Sequence, residues 1–250
     1  MTLNISRTFQ RLATLGWMLL APALAHAEMF GPIAGKVFGS GSKALVLVAH
    51  GDSGPDYITG FAQQIAAQNP GVTVIQMARP GYKIRGTGAS KGSSNGGRDH
   101  HTKRNNKLLG QGVVAAANAY PHKELLVVGH SGGANQFGVI IATHPGVIDT
   151  AILVSGPFDV KLWRTMRGKG PWPRSQSPKQ FLKSVPASTK IIAATGSSDS
   201  NTRPALARAY VKKAKALGKN ATYVEIPGAG HGFRGLHAPV LKLVAKEVRN

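Results

Sequence analysis

The sequence predicts an α/β protein with a doubly wound, mostly parallel sheet and helices on both faces. Three observations carry that expectation. Short β-branched apolar runs recur along the chain, segments of helical spacing lie between them, and 250 residues, 42 % of them hydrophobic, can bury one substantial core.

Residues 1–27 read apart from the rest. Arg7 and Arg11 give a positive start, an apolar run spans 12–24, and Ala25-His26-Ala27 forms a small-x-small pattern before Glu28. The run is shorter than the roughly 20 residues a bilayer-spanning helix needs. A cleaved signal peptide is the expectation, with a single domain over 28–250 and a periplasmic or secreted location. An uncleaved anchor is the alternative. Residues 28–42 read as too short for a full leading β-hairpin.

Strands are expected at 44–49, 72–77, 125–128, 151–154, 190–194 and 222–226. Phe61 and Ile65 mark a helix after the first strand, and Phe137, Ile140 and Ile141 mark another that His144-Pro145-Gly146 stops. Thr202 is read as the cap of a helix with Pro204 in its first turn and Gly218 at its end. Leu236, Val240 and Val244 stripe the last helix. Two segments break the rhythm: 81–106, rich in Gly, Ser, Lys and Arg with little apolar to bury, and 158–186, a short cap or loop insertion carrying Trp163 and Trp172. Both follow strand ends, so both should lie at the edge of the sheet where ligands bind.

The chain has no cysteine, which excludes disulfides, thiolate catalysis and cysteine zinc sites. Lys and Arg number 31 against 10 acids, a formal charge of +21, which loss of Arg7 and Arg11 would lower to +19. Such a field favours anionic surfaces or polymers but identifies none, and it specifies no nucleic acid.

Gly129-His130-Ser131-Gly132-Gly133 fits G-x-S-x-G, directly after a strand and before a helix. The sharp turn there would lift the Ser131 hydroxyl clear of the sheet, and flanking side chains would collide with neighbouring backbone. A serine needs a base. His231, in the Gly-rich loop after the last strand, is best placed, with His237 in reserve; His50 and His130 belong to other strand ends, and His100 and His101 read as a solvated pair rather than a metal site. Asp199, between a strand and the Thr202 helix, is the expected third member, with Asp159 as rival. Gly132 and Asp52 are the expected backbone donors of an oxyanion hole. Gly51-Asp52-Ser53-Gly54 looks like the nucleophile segment of trypsin-like proteases or GDS-type lipases. The first fold is all-β, and the second wants an Asp where Gly228 stands, so Ser53 is set aside.

Gly129 to Gly133, Asp199 and His231 resemble the catalytic set of α/β-hydrolases, in the order Ser, Asp, His. With Arg79-Pro80-Gly81-Tyr82 and Gly230-His231-Gly232-Phe233, the chain is similar to small bacterial esterases related to dienelactone hydrolases and prolyl-oligopeptidase-like enzymes, over about 43–250. Two departures stand out: no His-Gly-Gly-Gly run follows the first strand, and the leader is short. The resemblance implies an α/β-hydrolase fold and a serine hydrolase that cleaves small carboxylic esters through an acyl-serine intermediate, with no metal or organic cofactor. An amidase or peptidase is the nearest alternative, though such relatives usually carry a large extra domain. A non-catalytic polyanion-binding protein on the same fold is the alternative of another class.

Two sets of charges should converge at the site entrance: Arg79, Lys83, Arg85, Lys91, Arg98, Lys103 and Arg104 from one long loop, and Lys161, Arg164, Arg167, Lys169 and Arg174 from the other. Trp163 and Trp172 among them are candidate substrate contacts.

Overall fold

The computed structural model describes residues 25–249, so most of the expected signal peptide lies outside the described residues. Eight strands form one sheet: β1 (His26–Phe30), β2 (Ile33–Phe38), β3 (Ala44–Ala49), β4 (Val72–Met77), β5 (Glu124–His130), β6 (Thr150–Val154), β7 (Lys190–Gly196) and β8 (Ala221–Ile226). Their spatial order is β1-β2-β4-β3-β5-β6-β7-β8, parallel from β4 to β8 and antiparallel at the β1-β2 edge.

Alternation along each strand divides the core between two faces. In β3, Leu45, Leu47 and Ala49 join one apolar layer, while Ala44, Val46 and Val48 join the other. The helices α1 (Thr59–Gln68) and α6 (Phe233–Glu247) cover the second layer through Phe61, Ile65, Leu236 and Val240. The first is covered by α2 (Lys103–Ala119), α3 (Gly132–Thr143) and α5 (Pro204–Ala216), which supply Leu109, Phe137 and Tyr210. The sequence changes direction of winding at β3: β4 lies to one side of it and β5 to the other, with Ala49 paired to Gly129. The loops leaving β3 and β5 therefore flank one crevice, the place where open α/β sheets bind ligands.

Four expectations need correction. A leading hairpin does form: five- and six-residue strands suffice, Gly31-Pro32 makes the turn, and β1 starts two residues before Glu28. Helix α2 begins inside the segment read as polar loop; Gly110, Gly112, Asn105 and Asn106 lower its helix propensity and mask the stripe of Leu109, Val113 and Ala116. The second long segment holds another helix, α4 (Val160–Met166), capped by Asp159. Thr202 does not cap α5. Arg203 occupies that position, and the Thr202 hydroxyl turns inward to the Ser155 carbonyl at 2.9 Å.

The two long loops are fastened to each other by polar contacts and by Trp172 packed against the His100 and His101 rings. Thr102 bridges to Ser175, the Gln176 amide donates to the His101 carbonyl at 2.9 Å, and Arg174 meets Asp99 at 3.3 Å. No described helix is long and apolar enough to cross a membrane.

Candidate active site

Ser131 stands at the turn from β5 to α3 with φ 53° and ψ −113°, a conformation disfavoured for L-residues and held here by its surroundings. Its amide donates to the Val154 carbonyl at 2.8 Å. The glycines around it answer to close approach: a Cβ on Gly133 would lie 2.5 Å from the Ala49 carbonyl oxygen, and one on Gly129 would lie 2.6 Å from the Ala134 nitrogen.

The structure brings Ser131, His231 and Asp199 into one line. His231 Nε2 lies 3.1 Å from Ser131 Oγ, and its Nδ1 lies 3.0 Å from Asp199 Oδ2. Asp199 is buried, and its other oxygen accepts the amides of Asn201 and Thr202 at 2.9 and 2.8 Å. Burial raises its carboxyl pKa, but the hydrogen bonds and charge from His231, with the bonds from Thr202, outweigh that and leave it below the ordinary value. The rival Asp159 faces elsewhere, paired with Lys179 at 2.9 Å. His237 contacts Gln64 at 3.0 Å, and Ser53 is exposed on the cavity rim.

Asp52 follows β3 beside Ser131. Gly132 is the first residue of α3, so its amide has no intrahelical acceptor. The Asp52 carboxylate is anchored under the turn by the fully buried Arg79, whose Nη1 donates to Asp52 Oδ1 at 2.8 Å and to the His50 carbonyl at 3.2 Å. Arg79 also donates from Nε to Gln136 Oε1 at 2.6 Å and from Nη2 to His100 Nε2 at 2.9 Å. Burial raises the Asp52 pKa, yet Arg79, His100 and His101 hold it well below the usual carboxylate range. This anchor between the β3 loop, the α3 helix and the long loop was not legible in the sequence, where Arg79 reads as one more surface charge.

His100 and His101 are the fifth correction: they are buried, not solvated, and His101 Nε2 lies 3.6 Å from Asp52 Oδ1. One ligand atom each from Asp52, His100 and His101 fall within 4.8 Å of one another. The geometry suggests a cation, but Arg79 already fills that role, bonded to two of the three, and a guanidinium cannot give up its charge. The residues do not fit a metal.

A second link connects the β3 loop to His231. The Gly51 amide donates to the Tyr57 hydroxyl at 2.5 Å, which lies 2.7 Å from His130 Nδ1. His130 Nε2 in turn lies 3.0 Å from the His231 carbonyl oxygen. That carbonyl needs a donor, which assigns the proton to Nε2 and makes Tyr57 the donor to Nδ1. Burial, then the nearby His231, lowers the His130 pKa to about 3, so the ring is neutral and can hold both bonds.

Ser131 and His231 open into a cavity of about 890 Å³ that Trp163 and Trp172 also line. Of the charges expected at the entrance, Arg98, Arg164 and Arg167 line it. Arg79 lies beneath the site, and Arg104 and Arg174 line a smaller cavity. Lys83, Arg85, Lys91, Lys103, Lys161 and Lys169 line neither. Arg234, from the first turn of α6, lines the main cavity without having been expected there.

Residues 108–249 match the model of the prolyl oligopeptidase family. No curated protein matches the chain. Among solved structures, a candidate dienelactone hydrolase from Klebsiella pneumoniae is 14 % identical with a TM-score of 0.65, over 90 % of this chain and 95 % of that one. An esterase of Pyrococcus furiosus is 15 % identical with a TM-score of 0.66, over 90 % and 91 %. A monoacylglycerol lipase of Paleococcus ferrophilus is 14 % identical with a TM-score of 0.62, over 86 % and 98 %. At these identities the likeness carries the fold, that of the α/β-hydrolases.

Proposed function

The chain belongs to the prolyl oligopeptidase family, and on that premise we propose that it is a serine hydrolase cleaving carboxylic esters through an acyl-serine intermediate. It is a hydrolase of the esterase and peptidase type on the α/β-hydrolase fold. The proposal concerns the nucleophile and the bond. The observation that carries it is the run of contacts from Ser131 Oγ to His231 to Asp199, opening into the cavity.

In this reading His231 Nε2 takes the proton of Ser131 as Oγ attacks the ester carbonyl carbon. Asp199 keeps the other proton on Nδ1 and balances the imidazolium charge. The amides of Gly132 and Asp52 receive the oxyanion, and the Arg79 anchor fixes the second of them. His231 returns its proton to the leaving alkoxide, then takes one from the water that attacks the acyl-serine, and hands it to Ser131 Oγ as the acid leaves. No step calls for a metal or organic cofactor.

A fluorophosphonate probe should label Ser131, and Ser131→Ala should abolish labelling and lower kcat by about 10⁴-fold or more. A fully active Ser131→Ala protein overturns the assignment. Running each aryl ester beside the anilide of the same acid decides between ester and amide, because the family match also supports a peptidase. We further propose that residues 1–27 are removed on export to the periplasm or medium. N-terminal sequencing of the exported protein should then begin at Glu28, and a start at Met1 in a membrane fraction overturns this.

A further inference from the structure

Four arginines wall the cavity over Ser131: Arg98 from the loop before α2, Arg164 and Arg167 from α4 and its end, and Arg234 from α6. None makes an ion pair among the described residues. Four aspartates of this edge are engaged elsewhere, Asp52 with Arg79, Asp99 with Arg174, Asp159 with Lys179 and Asp199 with His231, and the exposed Asp56 does not line the cavity. The positive charge here is thus uncompensated, unlike that of Arg79 below it.

Two of the four are also held in place. Arg164 donates from Nε to the Gly170 carbonyl at 2.8 Å, and its guanidinium lies 4.9 Å from the Trp172 ring centre and 5.5 Å from that of Trp163. Arg167 lies 5.4 Å from the Trp163 ring centre. The tryptophans meet edge to face at 5.1 Å, and Trp163 Nε1 donates to the Asn201 carbonyl at 3.1 Å. Aromatic faces fix the guanidinium groups, while the Arg164 Nη groups have no protein acceptor among the described residues. Burial, then the charge of Arg167, holds Arg164 below its ordinary pKa, as two crowded cations without an anion require. Guanidinium groups ordered in advance against aromatic rings give an incoming anion more than flexible surface lysines could.

We propose that this wall is a subsite for a carboxylate borne by the substrate itself, with the apolar or aromatic body of that substrate against Trp163 and Trp172. For turnover this rests on the serine hydrolase reading; for binding it does not. The substrate class is a monoester that carries a free carboxylate.

Binding is tested on Ser131→Ala protein by titrating tryptophan fluorescence with 3-phenylpropanoate and with its primary amide. The carboxylate should bind about tenfold to hundredfold more tightly, the range of a charge-assisted pair. Arg164→Gln and Arg167→Gln should each erase most of that preference, with melting temperature and circular dichroism reporting that they fold. Lys161→Gln, on the same helix but outside the cavity, should keep it. Equal affinity for acid and amide, or equal loss in Lys161→Gln, overturns the subsite and leaves only a general basic field. Turnover is read with p-nitrophenyl hydrogen adipate against p-nitrophenyl hexanoate, and 4-acetoxybenzoate against phenyl acetate, which place the anion on the acyl or the leaving side. At least one pair should favour the anion in kcat/KM, less so as salt rises. Hydrolysis of neutral and anionic esters at equal rates sinks this inference alone, whereas failure to label Ser131 sinks the hydrolase reading and leaves the binding result standing.

Discussion

Asp199 divides its two oxygens between different partners: Oδ1 accepts two backbone amides, and Oδ2 faces His231. That division makes Asp199→Asn informative. The amide oxygen would stay on the two backbone donors, so the NH₂ group would point at His231 Nδ1 and donate to it. Nδ1 would lose its proton, Nε2 would carry one toward Ser131, and the base would face its nucleophile in the wrong tautomer. Activity should fall by about 10³–10⁴. Asp159→Asn should lose at most about 1 kcal/mol of stability, that of a half-exposed pair with Lys179, and keep activity within a few-fold. Steady-state kinetics of the two variants decides, and the reverse ranking would move the acid to Asp159. Chain order and strand ends made these residues legible in the sequence. Thr202, Tyr57, His130 and Arg79 were not, because hydrogen bonds between residues 21 to 101 positions apart leave no spacing to read.

At the scale of elements, the proposed mechanism requires the loop after β3 and the loop after β8 to keep register with each other, since it draws the Asp52 amide from one and the His231 ring from the other. No strand pairing joins them: β3 and β8 lie four places apart in the sheet. The Tyr57 hydroxyl and the His130 ring connect them instead, and both residues pack on Phe233 of α6. Tyr57→Phe keeps that packing and deletes the hydroxyl, freeing the Gly51 peptide to rotate. A loosened donor acts on the transition state, so kcat should fall about tenfold, roughly 1.4 kcal/mol, while KM stays within about twofold. A rise in KM at constant kcat would mean that Tyr57 serves substrate binding and not loop placement. The central strands were legible because period-2 burial on both faces leaves unbroken apolar runs. The β1-β2 hairpin and α2 were not: an edge strand half in solvent shows no such run, and a helix with two interior glycines hides its stripe.

The whole molecule carries its histidines unevenly, and this sets how it meets acid. His50, His101 and His130 are buried, and their pKa values fall from 6.5 to about 3, 4 and 3. Burial is the largest cause in each, followed by Arg79 for His50 and by His231 for His130; at His101, Asp52 opposes the shift without cancelling it. In the unfolded chain the same rings would take protons near 6.5. Between about pH 6 and pH 4 the unfolded state therefore binds more protons than the folded one, and stability must fall as pH falls. The carboxyls of Asp52 and Asp199, held low in the fold, act with the same sign, but only once pH drops below their ordinary 3.8. A formal charge of +21 adds self-repulsion to a chain that gains further charge in acid. The three rings should make unfolding take up about three protons near pH 5, with His144 adding a fraction. Urea midpoints measured from pH 7 to pH 4.5 read this slope directly. His101→Gln should lower the uptake by about one proton, because it removes one ring that titrates only when the chain unfolds. A slope below one proton would mean that the buried histidines are already protonated in the folded state, and that burial does not keep these three rings neutral.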